Sequence, residues 1–256
     1  MIRVLHDGSR GDFVYAMASM YYLAKLRDEQ VEIYTTNGVI ARDMKAITDR
    51  ELWVSRLVYL EDNDAAAVRP LRPRLPDVDV DYRSFAGLYT MGARNRHICD
   101  VHAELAKVPE WSKNATWLTR ENDHTGIVFG LGNRRNSDNN QGTPINFREV
   151  YQLVCGHAPC SFCGTAEEYE DFSALIDSGD VLWVDGIPGG IAVLASASLY
   201  IGTENMWYAI AQGMGIPTAT ECFRSHHNST IWERPYRWCG CNEIDLDTYL
   251  NLLIVR

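Results

Sequence analysis

The sequence predicts an α/β fold in two similar halves, each a parallel sheet flanked by helices. Three observations predict it. Short apolar, β-branched runs alternate with helix-like runs along both halves of the chain. A polar stretch without clear period, Trp111 to His124, separates two sets of these elements and reads as an interdomain linker. Two strand-to-helix junctions, Gly8–Ser9–Arg10–Gly11–Asp12 and Gly202–Thr203–Glu204–Asn205, are small polar turns, one in each half. The halves are placed at residues 1–115 and 125–256.

In order, Ile2–His6 reads as a buried strand and GSRGD as the turn after it. Phe13 to Leu26 is apolar nearly all round, which predicts a buried helix. Val31–Thr35 is a second strand. Ile40 to Ile47 and Leu52 to Tyr59 fit helix or strand, and periodicity does not decide between them. Val68 to Pro76 holds three Pro and three Arg in nine residues, so it reads as a stiff, basic, exposed loop. Val78 to Tyr82 suits an edge strand and Asn95 to Ala106 a helix.

In the second half Gly126–Leu131 restarts the pattern as a buried strand, and a long polar loop with two adjacent arginines comes next. Phe147 to Val154 is a helix, Ala158–Cys163 a strand, and GTAEEYEDF opens another helix with acids in its first turn. Val181–Val184 is strand-like. The stretch from Val193 to Cys222 then supplies a helix-like ASAS run, a strand at Leu199–Ile201, the Gly202 turn, and a helix from Met206 to Met214. Gly215 closes that helix and Pro217 lies just beyond it. Asp245 to Ile254 is a final amphipathic helix. Each half therefore reads as a Rossmann-like domain, in which ligands sit beyond the carboxyl ends of the strands. Two such domains face to face place the expected site in a cleft between them.

Composition bounds the partners. The chain has 256 residues, 46% apolar and 23% charged, as a soluble globular protein does. No apolar run approaches the roughly 20 residues of a membrane span, and the N-terminus carries acids and glycines where a signal peptide would carry its apolar core. The expected location is the cytoplasm. Residues 1–120 hold 17 basic and 17 acidic side chains; the other 7 basic and 17 acidic give the second half the whole net charge of −10. A balanced, arginine-rich first half can hold a basic groove, whereas the second half does not suit a polyanion. Seven cysteines in a reducing compartment argue against a disulfide framework. Cys160-x-x-Cys163 and Cys239-x-Cys241 could together supply four zinc thiolates, although Cys163 also reads as a buried strand residue.

The paired turns, in this order and one per half, resemble those of the heptosyltransferases, glycosyltransferase family 9 enzymes of the GT-B fold. That family is similar at the start in strand–GxxGD–apolar helix. Near its end it has iG-x-D-[ST]-G and a helix closing on AxGxP, matched here by Ile201–Asn205 and Ala211–Pro217. Phe162 to Glu168 resembles the family's strand–G-s-x-x-E segment. Several positions depart from the pattern. Glu204 stands for the usual Asp, and Asn205–Met206–Trp207 for Ser/Thr–Gly and its neighbour. The usual His of that helix is absent. No donor-phosphate Lys is visible, Arg134 and Arg135 being the nearest substitutes.

The resemblance implies sugar transfer from a nucleotide diphosphate donor with no required cofactor or metal. A carboxylate must take the acceptor hydroxyl's proton, and the resemblance makes it Asp12. Asp12 also suits a helix N-cap, a role that lowers carboxylate basicity, and both roles can hold together. The leaving diphosphate needs cations and N–H donors. Arg134 and Arg135 could clamp it, or be solvated loop residues. Amides at Gly202, Thr203, Glu204 and Asn205 would hold the pyrophosphate. Glu204 itself, facing phosphate, would repel it and better orients an Arg or touches sugar hydroxyls. Gly164, Thr165 and Glu168 (or Glu167) would bind the donor's ribose side, or complement the helix dipole. Gly8, Ser9, Arg10 and Gly11, with Arg69, Arg72 and Arg74 of the proline loop, would receive the acceptor. Asp77-x-Asp79-x-Asp81 alternates like an exposed strand and is read as no metal motif. His226–His227 is a poor metal pair. Trp207 and Tyr208 are read as core.

The acceptor implied by the family is a saccharide of lipopolysaccharide-core type. An alternative is a phage-type enzyme that glycosylates 5-hydroxymethylpyrimidine bases in DNA, the three loop arginines on phosphates and the base flipped out. A reading of another class is a non-catalytic nucleotide-sugar binding module, favoured by the altered Glu204–Met206 turn. An epimerase acting on the nucleotide sugar lacks an added His or acid cluster.

Overall fold

The computed structural model describes residues 1–60, 78–84, 96–121, 125–132, 145–221, 237–239 and 245–254. The chain divides into two compact units, Met1–Leu118 and Thr119–Arg256.

The first unit contains β1 (Ile2–Leu5), α1 (Arg10–Arg27), β2 (Val31–Thr35), α2 (Gly38–Thr48), β3 (Val54–Tyr59), β4 (Val80–Asp81) and α3 (Ile98–Ala106). Its four strands are all parallel, in the order β3-β2-β1-β4. The two ambiguous stretches resolve into a helix and a strand. Tertiary packing decides them: Ile40, Met44 and Ile47 bury one face of α2. Every residue from Phe13 to Met20 of α1 is buried, as an all-round apolar helix requires. The expected linker is in part core. Trp117 is 1% exposed and its Nε1 donates to the Val14 carbonyl at 3.1 Å. Lys113 donates to both carboxylate oxygens of the buried Asp100, at 2.6 and 2.8 Å. Thr119 onward belongs to the second unit, where the Arg120 guanidinium donates to the Ala197 carbonyl and the Glu121 amide to that of Ala195. The break between the units, after Leu118, falls within the expected linker, and each side of it packs on its own unit.

Two imidazoles sit inside the first unit. His6, which comes directly after β1, and His102, on α3, are each 0% exposed, with ring centroids 5.9 Å apart. Phe13 meets His6 edge-on at 5.3 Å, and Tyr82 packs on both histidines, its hydroxyl 2.7 Å from Ser19 Oγ. Burial lowers the His6 pKa from 6.5 to about 4 and depresses His102 in the same direction.

The second unit contains β5 (Gly126–Gly130), α4 (Phe147–Val154), β6 (Cys160–Cys163), α5 (Ala166–Ile176), β7 (Leu182–Val184), α6 (Gly186–Ala195), β8 (Ala197–Gly202), α7 (Met206–Gly213), β9 (Thr218–Thr220), β10 (Arg237–Cys239) and α8 (Leu246–Ile254). All strands pair in parallel, in the order β10-β9-β8-β5-β6-β7. This is the doubly wound order, reversing direction between β5 and β8. Its core centres on Phe172 of α5, stacked on Phe162 at 4.9 Å and beside Phe129 at 5.0 Å.

Helix α6 has no counterpart in the sequence expectations, and the ASAS run is not helical. The helix ends at Ala195, and Ala197 and Ser198 already belong to β8. Three glycines and Pro188 hide α6, since each interior Gly costs about 1 kcal/mol against Ala. Packing supplies the reason for one of them. A Cβ at Gly190 would lie 2.4 Å from the Trp207 ring. Pro188, in the first turn, gives up an amide that has no intrahelical partner there.

Two stability measurements check this account. A Cβ at Gly202 would lie 2.0 Å from the Gly130 carbonyl oxygen. Gly202→Ala must therefore spread β5 from β8, at a cost of about 3 kcal/mol or more, read as a lowered urea midpoint. The second measurement concerns acid. Unfolded His6 takes a proton as pH falls through 6.5, and folded His6 does not until about 4. Its contribution is complete above the unfolded value and is lost as pH falls from 6.5 to 4, by about 3 kcal/mol. Denaturation midpoints measured from about neutral pH down to about pH 4 should show this slope, and His6→Asn should flatten it.

Candidate functional site

Each predicted turn lies at the carboxyl edge of its own sheet, next to the place where the strand order reverses. In the first unit the reversal lies between β1 and β4, and the Gly8–Asp12 turn leaves the end of β1. Ser9 is the N-cap of α1. Its Oγ accepts from the Asp12 amide at 3.3 Å, and Asp12 Oδ2 accepts from the Ser9 amide at 3.2 Å and the Ser9 hydroxyl at 2.8 Å. The candidate base is thus also half of a capping box. Gly8 leaves room for the neighbouring imidazole: a Cβ there would lie 2.8 Å from His6 Cε1 and 3.2 Å from Asp12 Cβ. Gly11 is under no such constraint, its nearest contact for an added Cβ being Ser9 Oγ at 3.9 Å.

Arg10 pairs with Asp43 of α2, Nε to Oδ2 at 2.6 Å, and Arg42 Nε reaches the other oxygen at 2.8 Å. Burial raises the Asp43 pKa, but the two guanidiniums outweigh burial and the net shift is downward. The cluster holds one carboxylate against two guanidiniums, with Arg10 and Arg42 45% and 72% exposed. Asp7 ties the ends of β1 and β2 together, its Oδ1 accepting from the Thr36 amide at 2.7 Å and the Thr35 hydroxyl at 3.1 Å. Arg69, Arg72 and Arg74 lie outside the described residues.

In the second unit the reversal between β5 and β8 is built from bare backbone. Gly130 and Gly202 are register partners at the strand ends. The Thr203 amide donates to the Gly130 carbonyl at 3.0 Å, and Thr203 Oγ1 accepts from the Gly132 amide at 2.6 Å. Gly132 crowds the turn after β8: a Cβ on it would meet Thr203 Oγ1 at 3.2 Å and Asn205 Cβ at 3.3 Å. The segment carrying Arg134 and Arg135 lies outside the described residues, but its flanks are held at this edge. Gly132 is bound to Thr203, and the Ile145 amide donates to the buried Glu221 Oε1 at 3.0 Å.

Asn205 is the N-cap of α7. Its Oδ1 accepts from the Tyr208 amide at 3.0 Å and from the Tyr200 hydroxyl at 3.1 Å. Two donors on one oxygen fix which way the amide faces. Nδ2 is buried and has no hydrogen-bond partner among the described residues. Tyr200 is fully buried beneath the two glycines, where burial first of all raises its pKa far above the ordinary phenol range. Glu204 is partly exposed at the tip of the turn. Sequence reasoning missed Tyr200, Gly130 and Gly132. The G-x-G at the end of β5 was the available signal.

Gly164, Thr165 and Glu168 stand at the same edge, after β6, two strand spacings or about 10 Å from β8. They form a second capping box. The Thr165 amide donates to Glu168 Oε2 at 2.8 Å, and the Glu168 amide to Thr165 Oγ1 at 3.2 Å. Trp183 Nε1 donates to the Gly164 carbonyl at 3.1 Å, and the Trp183 ring stacks on Tyr169.

Of the four cysteines that could supply zinc thiolates, only the side chains of Cys160 and Cys163 are among the described residues. Burial pushes the Cys163 thiol up to about 12 and the Cys160 thiol up to about 11, and Cys163 Sγ lies against the Gly190 carbonyl. Cys241 falls outside the described residues. Among those residues no group of three or more His, Cys, Asp or Glu is placed to hold a metal ion, and no helix is long and apolar enough to cross a membrane.

No protein-family model matches the sequence, and no curated protein matches it. Solved structures do. A glycosyltransferase family 9 protein from Veillonella parvula DSM 2008 aligns over 93% of this chain and 84% of its own, with TM-score 0.60 and 10% identity. The E. coli heptosyltransferase WaaC with ADP-2-deoxy-2-fluoro heptose aligns over 93% and 92%, with TM-score 0.59 and 10% identity. E. coli ADP-heptose lipopolysaccharide heptosyltransferase II aligns over 100% and 99%, with TM-score 0.59 and 12% identity. The chain is therefore similar in fold to the GT-B heptosyltransferases and glycosyltransferase family 9 proteins, along nearly its whole length.

Proposed function

We propose that the chain transfers a sugar from a nucleotide diphosphate donor to a hydroxyl acceptor, by direct displacement with inversion. The observation that supports this best is the position of both turns. Each opens a helix at the strand-order reversal of its own sheet, where α/β sheets bind ligands. The second unit takes the donor. The amides at the start of α7, with the Asn205 side-chain amide, receive the diphosphate, and the dipole of α7 favours its charge. Arg134 and Arg135 complete the clamp from the loop anchored at the same edge. Glu204 meets the sugar hydroxyls, and the Gly164–Glu168 turn receives the nucleoside side.

The first unit takes the acceptor at Gly8–Gly11, and Asp12 accepts the hydroxyl proton. The capping bonds from Ser9 orient that carboxylate. A saccharide is the acceptor the fold relatives favour. Arg69, Arg72 and Arg74, together with the Arg10–Arg42 cluster, suit one that carries anionic groups.

Purified protein offered ADP-, UDP- and GDP-sugars with saccharide acceptors, or with hydroxymethylated DNA, should release the nucleoside diphosphate and form a glycoside. Binding without release in every combination would support the non-catalytic module instead. Asp12→Asn should lower turnover by at least about a hundredfold while nucleotide binding and the melting temperature hold. Turnover close to that of the unsubstituted protein would remove Asp12 from the mechanism. Asn205→Asp retains a good N-cap but replaces a donor facing the anion with a second carboxylate oxygen. Nucleoside diphosphate binding should weaken at least about tenfold with no loss of melting temperature; an unchanged Kd in titration calorimetry would contradict the assignment.

A further inference from the structure

His6 is an expensive residue to place at the end of a buried strand. It is 0% exposed among Phe13, Tyr82 and His102. Its Nδ1 faces the Gly8 amide at 3.2 Å. An amide can only donate, so Nδ1 carries a lone pair and the ring proton of the neutral imidazole sits on Nε2. That Nε2–H is buried and makes no hydrogen bond of good geometry, although a backbone group of Asp12 lies near the ring. A buried donor so poorly paired is a desolvation cost that an apolar side chain here would not incur.

The compensation lies in what the ring touches. The point where a Gly8 Cβ would stand is 2.8 Å from His6 Cε1, 3.2 Å from His6 Nε2 and 3.2 Å from Asp12 Cβ. One edge of the imidazole therefore lies against the bare face of Gly8, and Asp12 closes the same gap from the other side. Ser9, the next residue, donates two hydrogen bonds to Asp12 Oδ2, from its amide and its hydroxyl. A chain of contacts runs from imidazole to Gly8 amide to Ser9 to carboxylate, and nothing in it needs a charged ring.

We propose that His6 is a positioning residue for Asp12: its Nδ1 lone pair holds the Gly8 amide and so fixes the turn from which Ser9 orients the carboxylate. His6 does not touch substrate and is not the base. The inference rests on the transfer reading of the Gly8–Asp12 turn and adds a residue to it. It also accounts for Gly8, since any side chain there would displace the ring.

The test separates position from packing. Asn at residue 6 can place its Oδ1 where Nδ1 now lies, Gln carries its acceptor one bond further out, and Leu has none. With the donor and acceptor found for the unsubstituted protein, His6→Leu should lower kcat at least about tenfold and change the donor KM less than about twofold. His6→Asn should recover most of that loss, and His6→Gln should not. Nitrogen-15 NMR of the unsubstituted protein at about neutral pH should show His6 Nδ1 as the pyridine-like nitrogen and Nε2 as the protonated one, a readout that survives if His6→Leu does not fold. The proposal is overturned by the opposite tautomer, by undiminished kcat in His6→Leu, or by Asn and Gln variants that behave alike. A protein with the expected tautomer that turns over no nucleotide sugar overturns the transfer reading, and any catalytic consequence of His6 with it.

Discussion

The second unit depends on the contact between the ends of β5 and β8. Gly202 stands so close to the Gly130 carbonyl that no side chain fits between them. The Thr203 amide and hydroxyl then join the two strand ends across the gap. Without that approach the turn after β8 could not crowd Gly132. In a doubly wound sheet the reversal of strand order is where ligands bind, and a helix N-terminus placed there suits an anion. Tyr200 supports the floor from below, because its hydroxyl fixes the amide plane of Asn205. One steric condition thus reaches through a buried phenol to the side chain that would meet the donor.

Both units use the same device at a helix start. Ser9 with Asp12, and Thr165 with Glu168, close capping boxes just after a glycine. The box satisfies two orphan amides and fixes the first turn. It also engages the two carboxylates that a sugar-transfer reading would most like to use. At Asp12 the bonds from the Ser9 amide and hydroxyl both fall on Oδ2 and orient the carboxylate. At Glu168 the cap accounts for the residue without any ligand, so the donor role there rests on place alone.

Much of this was legible in the sequence, for identifiable reasons. Helix α1 is apolar on every face and could only be buried. The turns at Gly8 and Gly202 carry small and polar residues that strands and helices avoid. Helix α6 was hidden because Gly189 and Gly190 read as loop, while the structure uses Gly190 as a socket for Trp207. The interdomain stretch also carries packing that its pattern did not show. Lys113 and Trp117 are buried through one ion pair and one indole hydrogen bond, which leave no periodic trace. Tyr200 and His6 sat in apolar runs and looked like strand filler. Only three-dimensional neighbours show that their polar atoms are aimed at a turn. Pattern reveals faces, whereas individual hydrogen bonds across the fold are invisible to it.

The acid excess of the second half bears on what that unit can bind. Its sequence carries the whole net charge of −10, which taken alone opposes any anion. Distance resolves the conflict. At physiological salt the screening length is about 8 Å, so carboxylates scattered over the surface act weakly on a group held in a crevice. Amides within hydrogen-bond reach act at full strength, and charge-assisted bonds of this kind contribute about 1.5–3 kcal/mol each. A compact diphosphate seated on α7 is governed by those bonds. A long polyanion lying across the unit would meet the surface carboxylates one after another and gain little from a single crevice. The charge pattern and the geometry of the β5–β8 edge are therefore both compatible with a small, concentrated anion at the second unit, as the proposed donor diphosphate would be.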